Sequence, residues 1–96
     1  MASYSITLVS SNNSMDGNTE YILVDATSNN ITITLPSIGA DGDSYAFNRI
    51  DAVSGNTVSL DAQSPDTVNG SSSMNITVGQ TFRIISYSGD YKIFSV

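Results

Sequence analysis

The sequence contains no cysteine, no histidine and no tryptophan. Without cysteine, disulfide bonds, thiolate metal sites and cysteine nucleophiles are excluded. Without histidine, the chain lacks the commonest general base and the commonest zinc ligand, and it cannot form a Ser-His or Cys-His arrangement. The missing tryptophan weakens the case for a sugar-stacking surface, although five tyrosines remain. These absences favour a binding or structural role over catalysis.

Cations are also scarce, since Arg49, Arg83 and Lys92 stand against nine acids and give a net charge of −6. Binding of nucleic acid requires neutralisation of phosphates, so we expect no nucleic acid partner. The first residues, MASYSITLVSSNN, contain neither a basic n-region nor a long apolar run. We therefore expect no signal peptide, no membrane insertion and synthesis in a cytoplasm.

Serine, asparagine and threonine make up 35 of the 96 residues. These side chains compete for backbone hydrogen bonds and disfavour helices, whereas threonine with valine and isoleucine suits strands. Turn signals recur about every eight to twelve residues, as in sandwiches and small barrels. The sequence predicts one all-β domain over residues 1–96, a small antiparallel β-sandwich or jelly-roll-like domain of about eight short strands.

Alternation of apolar and polar residues places the strands, and it is clearest over Ile31, Ile33 and Leu35, before Pro36 ends the ladder. In the first strand Tyr4, Ile6 and Leu8 share a face. Exposed loops are expected at Asp41–Asp43 and Asn69–Ser73. The predicted strands are Tyr4–Val9, Glu20–Asp25, Asn30–Leu35, Tyr45–Ile50, Thr57–Asp61, Ser73–Val78, Gln80–Tyr87 and Tyr91–Val96.

The closing hairpin, with a turn predicted at Ser88-Gly89-Asp90, has two unlike faces. Phe82, Ile84, Tyr91 and Ile93 form an apolar face. The opposite face mixes apolar, aromatic and cationic groups and is the candidate protein interface, which comprises Arg83, Ile85, Tyr87, Lys92 and Phe94, beside Val96. Tyrosine and arginine are enriched at interfaces, and a face that only met water would not need these apolar groups. The pattern is equally consistent with a hairpin that is buried on both faces.

Other candidate sites carry weaker signals. Asp41-Gly42-Asp43 begins like a calcium loop but lacks the closing glutamate, so a solvated turn is favoured. A carboxylate pair for glycoside hydrolysis could come from Asp51, Asp61 or Asp66, but turns favour aspartate at each of these positions. We predict no catalytic residue, no metal and no cofactor. The alternative function is a carbohydrate- or receptor-binding module that uses Tyr87 and Tyr91, although buried rings with wet hydroxyls are the favoured interpretation of most tyrosines.

The order of turns and strands resembles a family. The segments NITITLPS, YAFNRIDAVSGNTVSL, DTVNGSSS and GQTFRIISYSGDYKIFSV are similar in pattern to small β-domains of viral fibre, spike and capsid-decoration proteins. The resemblance covers about two-thirds of the chain, from Asn30 to Val96, and rests on turns and alternation. Tyr91 departs from the tryptophan that is common at this position.

The resemblance implies a non-enzymatic structural protein of a virion, in particular a bacteriophage capsid-decoration, head-fibre or tail-fibre module. Its expected partners are two further copies in a homotrimer, other virion proteins and a host surface glycan or receptor. No site residue is carried over, because the shared positions are turns and core. A spare apolar face on a small core is also what symmetric association would complete.

Overall fold

The computed structural model describes residues 5–95, which form ten β-strands and contain no helix. Within this range, no helix is long and apolar enough to cross a membrane. The strands are β1 (Ile6–Val9), β2 (Asn13–Ser14), β3 (Tyr21–Val24), β4 (Ile31–Thr34), β5 (Ser44–Arg49), β6 (Val58–Asp61), β7 (Thr67–Val68), β8 (Ser73–Asn75), β9 (Thr81–Tyr87) and β10 (Asp90–Ser95).

The strands are arranged in two sheets. The six-stranded sheet has the order β1-β3-β5-β9-β10-β7, and the four-stranded sheet has the order β2-β4-β6-β8. From β1 to β9 the chain alternates between the two sheets. Each return brings it back in the same direction, so β1, β3 and β5 pair in parallel, as do β2, β4 and β6. The first six strands therefore resemble successive coils of a β-solenoid.

The C-terminal strands reverse this pattern. β8 pairs antiparallel with β6, β9 pairs antiparallel with β5, and β10 pairs antiparallel with β9. The short strand β7 lies parallel to β10 at the edge of the six-stranded sheet. Antiparallel strands thus close the end of the molecule opposite β1 and β2.

The all-β prediction is confirmed, but the antiparallel sandwich or jelly-roll topology is wrong, because all four pairs among the first six strands are parallel. Alternation in the sequence shows which face of a strand is buried, but it does not show which strand lies beside it. Eight strands were predicted near their observed positions. The two that were missed, β2 and β7, have only two residues each. Tyr4 and Val96 lie outside the described residues.

The core lies between the inner faces of the two sheets. Ile22, Val24 and Phe47 from the six-stranded sheet are buried against Ile33 and Leu60 from the four-stranded sheet. Alternation indicates the buried side in β4 and β6, where Ile33 and Leu60 have polar neighbours, but not in β3, where both sides are apolar. The rings of Phe47 and Phe82 stack on adjacent strands with centroids 5.6 Å apart, which fixes the register of β5 against β9.

A buried ion pair lies in this core. Arg49 ends β5 with its side chain inward, and its Nε and Nη2 donate to the two carboxylate oxygens of Asp51 at 3.1 and 3.2 Å. The guanidinium also donates to the backbone carbonyls of Val53, Asn56 and Ile76. This contact holds the pKa of Asp51 well below its usual range despite burial. These contacts of Arg49 join the end of β5 to the loop before β6 and to the residue that follows β8.

Two turns have the chemistry that the sequence indicates. Asn69-Gly70 and Ser88-Gly89 both adopt positive φ, the conformation of two-residue turns that match the twist of the strands. Asp90 pairs with Tyr87, so the predicted three-residue turn is shorter by one residue and β10 begins at Asp90. The short turn sets the alternation that buries Tyr91, whose hydroxyl donates to the Pro36 carbonyl at 2.8 Å.

Candidate protein-interaction surface

The five predicted interface residues of the closing hairpin lie together on the outer face of the six-stranded sheet. Tyr87 is 62% exposed and Phe94 is 50% exposed, while Phe82, Ile84 and Tyr91 on the opposite face are buried. In register, Phe94 pairs with Arg83 and Lys92 pairs with Ile85 across β9 and β10. No described element covers this face, so the hairpin is not buried on both sides.

The exposed apolar surface continues beyond the hairpin, onto strands that the sequence pattern did not single out. Within residues 5–95, five of the six large apolar side chains that remain exposed lie on this side of the molecule. We define the outer apolar face by its residues Ile6, Leu8, Leu23, Ile85, Tyr87 and Phe94, with Ile50 one residue past β5.

The sequence contains a signal for the exposed apolar residues that the interface prediction missed. In β3 both faces are apolar, since Tyr21 and Leu23 alternate with Ile22 and Val24, the same excess that singled out the hairpin. In β1 the inward residues are Thr7 and Val9, whereas Ile6 is 62% and Leu8 is 58% exposed. The face that Ile6 and Leu8 share is therefore the solvent side, and only knowledge of the strand pairing places it on the same side of the sheet as the outer face of the hairpin.

Arg83 crosses the middle of the outer apolar face. Its guanidinium carbon lies 5.6 Å from the centroid of the Tyr21 ring. Nη1 donates to the Ser44 hydroxyl at 2.7 Å and to Glu20 at 3.4 Å, so the cation is matched by an acid on the same face. Because Arg83 lies on β9, between β5 and β10, it divides the face into two halves, with β1, β3 and β5 on one side and β10 and β7 on the other.

Lys92 is matched in a similar way. Its Nζ lies 2.9 Å from Oδ2 of Asp90, whose Oδ1 accepts hydrogen bonds from the Thr67 hydroxyl and the Gly70 N–H. Burial alone would raise the pKa of Asp90, but these hydrogen bonds and the ammonium outweigh it and lower the pKa. The carboxylate therefore stays charged and also joins β10 to β7.

The charges of the molecule are divided unevenly between its surfaces. Each of the three cations pairs with an acid, namely Arg49 with Asp51, Arg83 with Glu20 and Lys92 with Asp90. The net charge of −6 therefore resides on the other six acids. Among the described residues, five of them lie on loops or on the four-stranded sheet, and Asp25 stands at the rim beyond β3. The outer apolar face carries balanced charge on an otherwise acidic molecule.

An apolar groove opens in one half of this face. It encloses about 170 Å³ and lies across β1, β3, β5 and the start of β9. The residues that line it include Ile6, Tyr21, Leu23, Ala46, Asn48 and Thr81. The groove exists because Ala46 is small while its neighbours in register, Tyr21 and Arg83, are large.

The outer face of the four-stranded sheet is polar, in contrast to the outer apolar face. Its outward residues in register are polar, with Thr32 beside Ser59 and Asn75, and Thr34 beside Asp61. Asp61 accepts a hydrogen bond of 2.6 Å from the Ser59 hydroxyl. Such a surface is satisfied by water and offers no apolar area to a partner.

The aspartates that the sequence offered as weaker candidate sites make structural contacts. Asp41 accepts the Ser88 N–H at 2.9 Å, which joins two turns, and Asp66 accepts the Ile38 N–H at 2.8 Å. Asp51 forms the buried ion pair with Arg49. Within residues 5–95, no three acidic, histidine or cysteine side chains cluster in a way that could hold a metal ion. Asp41 and Asn69–Ser73 are exposed as expected, and Asp43 is half-buried.

The proposed tyrosine pair for carbohydrate binding is wrong. Tyr87 is exposed, but Tyr91 is fully buried on the opposite face of the hairpin, so the two rings cannot line one surface. Burial raises the pKa of Tyr91 well above its ordinary value, and the ring of Tyr45 packs against it at 6.1 Å. Alternation along β10 forces this outcome once β10 begins at Asp90.

No protein-family model and no curated protein matches this chain. The inference of function therefore rests on the residues and on the geometry of the outer apolar face.

Proposed function

We propose that this protein is a non-enzymatic structural module that self-associates, as a homotrimer, through the outer apolar face. The observation that carries the proposal is the concentration of exposed apolar side chains on one side of the six-stranded sheet. Exposed apolar surface of this kind marks interaction sites in soluble proteins. The resemblance to viral β-domains favours a place in a virion, as a capsid-decoration, head-fibre or tail-fibre component of a bacteriophage.

The charge distribution supports a second copy as the partner. Two copies that meet through their acidic surfaces repel each other, whereas the outer apolar faces carry balanced charge. The fold suits the role as well, since two sheets with a buried ion pair form a frame that needs no disulfide. The loops Asp41–Asp43 and Asn69–Ser73 would remain outward, available to other virion proteins or to a host receptor.

Solution mass tests the proposal, by light scattering on a sizing column at several concentrations. The expected result is about three times the 10.1 kDa chain mass. Phe94→Asp or Tyr87→Asp should return the mass to that of one chain, because each substitution places an unpaired charge in the buried interface. Ser73→Asp is the matched control, since it adds the same charge at an exposed strand position of the other sheet, and it should leave the mass unchanged.

A single-chain mass at every concentration would overturn self-association. A glycan array would then separate the remaining roles, since a sugar-binding module should retain glycans through Tyr87 and a docking module should not. Equal effects of Phe94→Asp and Ser73→Asp would show that any association follows added charge and not the outer apolar face.

A further inference from the structure

Asn69 is the one asparagine of the chain that is followed by glycine. Such a pair is open to spontaneous deamidation, because glycine has no side chain to hinder the approach of its own amide nitrogen. A bond forms between the Gly70 nitrogen and Cγ of Asn69, the bond from Cγ to Nδ2 breaks, and the Gly70 proton leaves with that nitrogen as ammonia. Water then opens the resulting succinimide to aspartate or to isoaspartate. Both residues are exposed, so solvent reaches the reacting atoms.

The folded turn holds this pair in an unreactive geometry. Asn69 and Gly70 have φ angles of 50° and 77°, in the left-handed region. In this conformation the Gly70 nitrogen lies on the side of the Cα–C bond away from the Asn69 side chain, so the peptide must rotate before the ring can close. Two hydrogen bonds oppose that rotation, since the Asn69 N–H donates to the Tyr91 carbonyl at 2.9 Å and the Gly70 N–H donates to Oδ1 of Asp90 at 3.0 Å.

Asp90 contacts the attacking atom itself, and its environment decides whether it assists or opposes the attack. Burial raises the pKa of Asp90, but the hydrogen bonds from Thr67 and Gly70 and the ammonium of Lys92 outweigh it and lower the pKa. The carboxylate is therefore a poor base for removal of the Gly70 proton. Its negative charge also disfavours the amide anion, which is the attacking form of the nitrogen. Both effects slow the reaction.

We infer that Asn69-Gly70 is a deamidation site and that the Asp90 carboxylate restrains the reaction by holding the Gly70 N–H. The restraint belongs to the folded chain, because Asp90 lies 20 residues away and reaches the turn only through the pairing of β10 with β7. It does not depend on self-association.

The products would change the exposed loop Asn69–Ser73 and the strand that precedes it. Val68 and Ser71 exchange two backbone hydrogen bonds across the turn, at 2.7 and 3.0 Å. Isoaspartate adds one carbon to the main chain inside this turn and would break that pair. Aspartate would instead place a further carboxylate beside Asp90 on an acidic molecule. The restraint by Asp90 therefore preserves a loop that the proposed function leaves facing outward.

Peptide mapping by mass spectrometry measures the reaction during incubation at mildly alkaline pH, since exchange of an amide for a carboxyl group raises the mass of the peptide that contains Asn69. The same chain unfolded in guanidinium chloride gives the unrestrained rate. We expect folded wild-type protein to react at least about tenfold more slowly, because a hydrogen bond to a charged group must break first. Equal rates in the folded and unfolded protein would overturn the inference.

Variants of the carboxylate and its contacts identify the source of the restraint. Folded Asp90→Ala should react at least about tenfold faster than wild-type protein. Asp90→Asn keeps the size and one oxygen acceptor but loses the charge, so its rate should lie between the two. Thr67→Val is the matched control, because it removes another contact of the same carboxylate and leaves the Gly70 hydrogen bond, and it should react at the wild-type rate. Denaturant unfolding establishes that each variant is folded, and Asp90→Asn carries the comparison if Asp90→Ala is not.

Two further outcomes would overturn the inference. Rates of Asp90→Ala and Asp90→Asn at or below the wild-type rate would show that the carboxylate does not restrain the reaction. Equal acceleration by Thr67→Val and Asp90→Ala would show that a general loosening of the turn, and not the contact with Gly70, sets the rate. The solution mass that tests the proposed function does not enter these rates, so each proposal can fail without the other.

Discussion

The two outer faces of this molecule rest on similar strands but present opposite chemistry to solvent. Both sheets turn valine, isoleucine and leucine inward, and their inner faces form one core. Outward, the four-stranded sheet carries threonine, serine, asparagine and aspartate, whereas the six-stranded sheet carries isoleucine, leucine, tyrosine and phenylalanine. The core does not require this difference. It is explained if one face meets water and the other meets protein.

The free energy available from burial of the outer apolar face can be compared with the cost of association. Full burial of a large apolar side chain contributes about 1.5–3 kcal/mol, and these side chains are already about half buried, so each can contribute roughly half as much. Five of them supply roughly 4–8 kcal/mol, against a cost of association of about 4–15 kcal/mol. Burial of this face on one copy alone therefore does not clearly offset the cost, and a contact that buries the apolar side chains of both copies is favoured.

The largest expected effect comes from disrupting the buried ion pair in the core that lies between the two sheets. Asp51→Ala leaves Arg49 buried without its carboxylate, and removal of one partner from a buried pair costs about 3–5 kcal/mol. Urea unfolding should show this loss. Asp61→Ala is the control, since that acid lies half-buried on the outer face of the four-stranded sheet, and it should cost less than about 1 kcal/mol. Equal losses of unfolding free energy in the two variants would show that the buried pair does not stabilise the fold.

Acid provides an independent check on the same pair. Because Arg49 depresses the pKa of Asp51, its contribution is complete above the ordinary value of 3.8 and is lost as the pH falls from there through the folded-state pKa. Wild-type protein should therefore lose stability faster than Asp51→Asn between about pH 5 and pH 2. Parallel pH profiles would contradict the assignment.

Much of the fold could be predicted because alternation is a local property. Eight strands, the apolar side of β9 with Phe82 and Ile84, and the turn at Ser88-Gly89 all follow from neighbouring residues. The pairing could not be predicted, since β1 and β3 are separated by β2 and a loop, and alternation says nothing about a partner 15 residues away. The same alternation of apolar and polar residues is found in a strand whether its neighbour is parallel or antiparallel.

The same distinction between local pattern and strand pairing applies to the outer apolar face. Arg83, Tyr87 and Phe94 could be identified because β9 and β10 form a hairpin, and a hairpin sets its own register. Ile6 and Leu8 join them only through the parallel pairing of β1 with β3 and of β3 with β5. The burial of Arg49 could also have been anticipated, because it shares the inward side with Phe47.

The next prediction compares the edges of the two sheets. Leu8 on β1 and Ser14 on β2 are both exposed and face outward from edge strands. Leu8→Asp removes an apolar contact worth about 1.5–3 kcal/mol when fully buried and adds a charge, so association should weaken at least about tenfold. Ser14→Asp should leave the dissociation constant unchanged. Sedimentation equilibrium on both variants checks this, and equal constants would confine the interface to the hairpin.

The smallest expected effect is that of Thr34→Ile on the four-stranded sheet. Both side chains are β-branched and suit a strand, so the free energy of unfolding should stay within about 0.5 kcal/mol of the wild-type value. The mass should also remain unchanged, because one isoleucine between Ser14 and Asp61 is not a contiguous apolar patch. A higher mass at the same concentration would mean that any added apolar group drives association. In that case the contrast between the two faces would reflect general hydrophobicity and not a shaped interface.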